Sequence, residues 1–254
     1  MKDGSPMFQA RTITRTGSKG TVPSFFEQDP KLSVLRRAFV EAVGTGFLVV
    51  AVVGSGIAAS RHAPAEPLVA SLLVAVSIAG SLVGLIVALG KVSGGHFNPL
   101  ITFAQWLNQE RSTGCTVAYI VGQVVGGAAG SILAAAMFSV PARTGIDALP
   151  SFGGFLSEVV ATAGLMTVVL GCARSTKWET GPFAVGAWLV AAIIATPSTS
   201  YANPAVTLAA IYAPGLVGLS PLTSAAFVLA QMAGMFVAVG INKLAFAGDD
   251  VVTD

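Results

Sequence analysis

The 254-residue chain is 54% hydrophobic and 10% charged, with a mean hydropathy of +0.77 and a formal net charge of +2. Several apolar windows approach or exceed the ~20 residues that cross a bilayer, which excludes an ordinary soluble domain and indicates a polytopic membrane protein. The basic residues form no cluster on a soluble module, which excludes nucleic acid as a partner. Cys115 and Cys172 lack CxxC or metal-ligand spacing and read as reduced packing residues.

Residues 1–34 carry Lys2, Arg11, Arg15, Lys19 and Lys31 among Gly, Ser, Thr and Pro, without an apolar signal-peptide region, and read as a disordered basic cytoplasmic tail. Six apolar spans follow at 38–59, 68–89, 115–138, 155–173, 182–199 and 222–246. The fifth reaches bilayer length only by including the polar residues 196–199. Two boxes interrupt this pattern, SGGHFNPLIT at 93–102 and SYANPAVT at 200–207. Asn is a favoured N-cap, and Pro at the next position lacks an N–H that a helix start leaves unbonded, so helices begin at Asn98 and Asn203. Running over 98–107 and 203–212, each rises roughly 15 Å, about half of a ~30 Å hydrocarbon core. They are therefore re-entrant half-helices, allowed where their ends face protein or a cavity. If each Asn caps through its carbonyl oxygen, its NH2 is left to donate to something in front of the helix. Residues 249–254 form a short acidic tail.

The fourteen Lys and Arg residues test this map. Twelve fall on one side: the five of the tail with Arg36 and Arg37, then Lys91 and Arg111, Arg174 and Lys177, and Lys243. Only Arg61 and Arg143 fall on the other, so the positive-inside rule places both termini in the cytoplasm of a multi-pass cell-membrane protein. The membrane domain, 35–248, is also duplicated, with one repeat at about 36–140 and the other at about 153–247. EAVGT from Glu41 is answered by EVVAT from Glu158, QVVG from Gln123 by QMAG from Gln231, and each half holds one Asn-Pro box. Three spans per half is an odd number, so the second repeat sits upside down, and the two half-helices converge near the midplane.

Two boxes inside a duplicated Glu-first, Gln-x-x-Gly pattern resemble the major intrinsic protein family, the aquaporins and glycerol facilitators. The resemblance covers roughly residues 36–247. It implies an all-α membrane fold of six transmembrane helices plus two re-entrant half-helices in an inverted repeat, a pore in each subunit, and a homotetramer. The pore boxes are then Asn98, Pro99 and Leu100, and Asn203, Pro204 and Ala205, the first departing from Asn-Pro-Ala at Leu100. The family usually has a filter arginine directly after the second box, where this chain has Val206; nor does Thr207 match the aspartate of glycerol facilitators. Spacing within the family carries over Ile78, twenty residues before Asn98, and Ser200, three before Asn203, as filter residues. Counting back twelve from Asn203 gives Ala191 as the span-five member, whereas counting forward from Gly186 gives Ile193, and both stand. Bacterial relatives lacking the arginine resemble arsenite-permeable members.

Glu41 and Glu158 are the acidic residues inside the predicted spans, and an intramembrane carboxylate needs a partner. They read either as proton-coupling groups or, as the resemblance implies, as acceptors for backbone N–H groups of the loop leading into each half-helix. His96 stands at the cytoplasmic mouth as a titrating gate or as a packing histidine. Gly122, Gly126 and Gly130 form a small-residue ridge for helix packing. No nucleophile, base and orienting acid share an arrangement, and His62 sits in a short external loop, so neither an enzyme nor a cofactor or metal site is expected. The reading is a passive channel for small neutral solutes, passing trivalent metalloid hydroxides such as arsenite, glycerol, or both, as well as water. Its alternatives are an ordinary water channel or a secondary transporter, which the inverted repeat alone would allow.

Overall fold

The computed structural model describes residues 32–141, 148–174 and 180–247. The acidic tail, all but three residues of the basic tail, and the cations Arg143 and Lys177 lie outside those residues. Every regular element among the described residues is helical. Five helices are long and apolar enough to cross a membrane: α1 (Val34–His62), α2 (Pro67–Ser93), α4 (Thr113–Met137), α5 (Phe152–Cys172) and α8 (Pro221–Ala245). A sixth, α6 (Gly181–Ala195), is shorter, and the half-helices are α3 (Pro99–Leu107) and α7 (Pro204–Ala209). After α7 the chain tightens into 3-10 turns at Ala210–Tyr212 and Gly215–Val217.

The sequence reading carried span five to Thr199, but α6 stops at Ala195. Proline disfavours helical geometry in the residue before it, and Thr196, ahead of Pro197, is extended at φ −119°, ψ 138°. At ~1.5 Å per residue the 15-residue helix covers roughly 22 Å. The polar residues beyond it are withdrawn from the span: Ser198 N donates to Ser157 Oγ at 3.2 Å and Ser198 Oγ to Glu158 Oε1 at 2.6 Å.

Packing follows the small residues. A Cβ added to Gly122 would lie 2.6 Å from Ala38 O, and one on Gly126 or Gly130 would collide with Ala42 O or Gly46 O. A four-residue glycine ridge on α4 therefore meets a four-residue series of carbonyls on α1, so the backbones touch without intervening side chains. Gly234 repeats the device between α8 and α5, where its Cβ would collide with Val159 O. Large apolar side chains such as Phe39, Phe47, Leu72, Val121 and Leu229 are turned outward, a girdle that requires lipid rather than water around it.

The ends of the helices sort the charges. Arg61, in the last turn of α1, donates to Phe138 O at 2.8 Å beside the end of α4. At the opposite end Arg174, just past α5, donates to Asn242 Oδ1 at 3.2 Å near the end of α8.

Candidate functional site

Two buried carboxylates shape the loops that enter the half-helices. Glu41 Oε1 accepts from Ser93 Oγ at 2.6 Å and His96 N at 3.0 Å; Oε2 accepts from Phe97 N and Gln123 Nε2, both at 2.7 Å. Glu158 repeats this set. Its Oε1 accepts from Ser198 Oγ at 2.6 Å and Tyr201 N at 2.9 Å, and its Oε2 from Ala202 N at 2.9 Å and Gln231 Nε2 at 2.6 Å. A carboxylate offers about four acceptor positions, and here four donors take them. Each Gln amide also reaches a threonine hydroxyl on a half-helix, Thr102 at 3.0 Å and Thr207 at 2.8 Å.

The held loops are bent. Phe97 and Ala202, each directly before a cap, have φ of 46° and 45°, and Thr199 and Ser200 are also left-handed at 59° and 55°. Such conformations cost non-glycine residues on the order of 1–3 kcal/mol each and persist only where surrounding bonds over-determine them. The N–H groups of Phe97 and Ala202 are among those that the carboxylates hold.

Beyond the bends lie the caps. Asn98 Oδ1 accepts from Leu100 N at 3.0 Å, and Asn203 Oδ1 from Ala205 N at 3.0 Å and Val206 N at 3.4 Å, while Pro99 and Pro204 occupy the first helical position. The amide groups are not left wholly free, as the sequence reading had them. Asn98 Nδ2 donates to Ala202 O at 3.0 Å and Asn203 Nδ2 to Phe97 O at 2.8 Å, so each cap ties its half-helix to the other's loop. One N–H of each NH2 remains. The N-terminal ends of α3 and α7 therefore meet.

Both Asn residues line a narrow cavity of about 70 Å³, several times the ~10–15 Å³ that one water requires. Its wall is aliphatic, from Leu48 and Val52 on α1, Ile78, Leu82 and Ile86 on α2, and Leu165 and Val169 on α5. Polar residues line it too, His96 and Asn98 from one loop and Thr199, Ser200, Tyr201 and Asn203 from the other. Ile78, Ser200 and Val206 all line this passage, and Ser200 Oγ is buried without a hydrogen-bond partner. Ala191 does not line it. It lies on an exposed face of α6, whereas Val185 and Leu189 line the passage from that helix. Ile193, four residues beyond Leu189, continues the same helical stripe and is buried, but lies past the lined stretch. Leu100 and Ala205 are buried behind the caps, and neither Glu41 nor Glu158 reaches the passage.

At the first loop's mouth His96 Nδ1 is 2.9 Å from Thr102 Oγ1, and its Nε2 is 3.4 Å from Arg111 Nη2. Arg111, read from sequence only as a topology charge, is buried against the Tyr119 ring, 4.3 Å from its centroid. Among the described residues no cluster of His, Cys, Asp and Glu could hold a metal ion.

The Glu158→Gln variant leaves one oxygen where two stood, so at least one of the Tyr201 and Ala202 amides or the Gln231 amide faces an NH2. A buried donor left unsatisfied costs ~1–3 kcal/mol. The variant is expected to melt several degrees below the parent in detergent and to lose flux. Thermal unfolding of the purified protein checks this, and an unchanged melting temperature would show that the carboxylate does not hold the loop.

Three comparisons agree with this geometry. Residues 29–200 match the family described as Major intrinsic protein. "Aquaglyceroporin AqpS" of Rhizobium meliloti (strain 1021) is 37% identical over 220 residues, covering 84% of this chain and 91% of that protein. "Aquaporin Z" of Photorhabdus laumondii subsp. laumondii is 33% identical over 238 residues, covering 84% and 99%. The X-ray structure of the aquaglyceroporin from Plasmodium falciparum matches with a TM-score of 0.59 at 16% identity, over 86% of this chain and 97% of that one, a likeness of fold. With paired Asn caps meeting over a lined passage, the chain belongs to the major intrinsic protein family of membrane channels for water and small solutes.

Proposed function

We propose that this channel passes glycerol and trivalent metalloid hydroxides such as arsenous acid as well as water. Val206 carries the reading. It follows the second Asn-Pro box, lines the passage, and puts an aliphatic group where the family resemblance expects an arginine. Without a guanidinium the filter loses a bulky cationic donor, so strict selection for water is lost. What remains is an aliphatic wall and a polar strip. Glycerol and arsenous acid are compact neutral solutes with three hydroxyls, able to bond to the strip while their other face slides along the aliphatic wall. The relative named as an aquaglyceroporin supports the class. Active coupling has little support, because the carboxylates carry four donors each and stand outside the passage.

In this reading a cell-membrane homotetramer has a pore in each subunit and both termini in the cytoplasm. Arg36, Arg37, Lys91, Arg111, Arg174 and Lys243 at helix ends opposite Arg61 support that orientation. Protease added to sealed right-side-out cells should leave both ends intact, and removal of the N-terminal segment would reverse it.

Restoring the guanidinium tests the solute class. Val206→Arg should reduce glycerol and arsenite flux relative to water on the order of tenfold, a barrier difference of ~1.4 kcal/mol. Stopped-flow light scattering follows water and glycerol, and arsenic content of the vesicles follows arsenite. A parent that moves water alone, or an unchanged ratio in the variant, would leave an ordinary water channel.

A further inference from the structure

The passage has a wall member supplied by no span or half-helix. Val217 belongs to the loop between α7 and α8, yet its side chain is buried and lines the passage together with Val206. We propose that Val217 is a specificity-determining residue, forming with Val206 an aliphatic collar that limits the girth of the solute. The proposal rests on the channel reading above and adds to it that the space left by a missing guanidinium is partly refilled from the loop.

Three features hold Val217 there. Tyr201 Oη donates to Val217 O at 2.7 Å, from a residue that itself lines the passage. Leu219 N donates to Ala210 O at 3.0 Å and Gly218 N to Gly215 O at 3.1 Å, closing the loop on the end of the half-helix through a left-handed Gly215 at φ 70°. Gly56 on α1 leaves the room: a Cβ there would lie 2.7 Å from Val217 Cγ1. A loop side chain pinned on three sides narrows the passage as a fixed element.

The opposite loop makes the contrast. There His96 lines the passage with Arg111 behind it, while the corresponding ring, Tyr201, spends its hydroxyl on holding an aliphatic group. The collar's two valine side chains offer a solute neither charge nor a hydrogen-bonding group. It therefore selects by size and not by charge, and the solutes it sorts are neutral polyols of increasing bulk.

Proteoliposomes carrying the parent, Val217→Ala or Val217→Cys are compared by stopped-flow swelling in glycerol and in the four-carbon polyol erythritol. Val217→Ala should raise the erythritol-to-glycerol permeability ratio several-fold, with water flux changing by less than about twofold. In Val217→Cys a charged methanethiosulfonate reagent, present on both sides, should cut that variant's own glycerol flux several-fold while leaving flux in the parent intact. An unmoved ratio in Val217→Ala, or a Val217→Cys channel indifferent to the reagent, would overturn the collar and leave Val217 as packing. If the parent passes water alone, the wide-solute reading fails separately. The collar is then supported by glycerol entry in Val217→Ala and overturned by its absence.

Discussion

The structure depends on two carboxylates that hold strained backbone in place. Glu41 and Glu158 each gather a serine hydroxyl, two consecutive loop N–H groups and a glutamine amide. Hydrogen bonds to a charged acceptor contribute about 1.5–3 kcal/mol each, enough together to offset the left-handed conformations at Phe97 and Ala202. With those residues fixed, the following Asn is presented as a cap, and the carbonyl before it is presented to the opposite Asn. Glycine completes the arrangement at a distance. The close approach of α1 to α4 at Gly126 and of α5 to α8 at Gly234 brings each carboxylate within reach of its glutamine.

Transport follows from what this scaffold exposes and what it hides. The carboxylates that build the loops are saturated and lie behind the passage, so a solute meets aliphatic side chains together with polar groups of the two loops. An ion entering would lose hydration without meeting a counter-charge, and the positive ends of the two half-helices add a barrier to cations. Water or another small neutral solute loses less, because the polar groups replace part of its hydration. Passive flux down a gradient needs nothing more than this rigid asymmetry, and no moving element is required.

Much of this was legible in the sequence because polar residues are costly inside apolar spans. Glu41, Gln123, Glu158 and Gln231 stand out against their surroundings, and their recurrence in one order on either side of two Asn-Pro boxes indicates an inverted duplication. What stayed hidden were the partners of the caps, the crossed Asn-to-carbonyl bonds between residues 104 and 106 positions apart. Counting across α6 could not choose between Ala191 and Ile193, because the Thr196–Pro197 break shortens the helix and shifts the spacing; the stripe through Val185 and Leu189 shows which face turns inward. Val217 gave no signal at all. An aliphatic residue in a loop becomes notable only when Gly56 and Tyr201 are seen to hold it over the passage.

If the paired Asn caps present neutral donors to the solute while tying the two half-helices together, exchanging either amide for a carboxylate is felt in both roles. Asn203→Asp keeps an oxygen for Ala205 N but sets a carboxylate oxygen against Phe97 O and a negative charge on the passage. Glycerol and water flux and monovalent cation conductance, measured on this variant and Asn98→Asp in the same proteoliposomes, test it most directly. Neutral flux should fall and cation conductance rise in both. Variants indistinguishable from the parent in all three would contradict it.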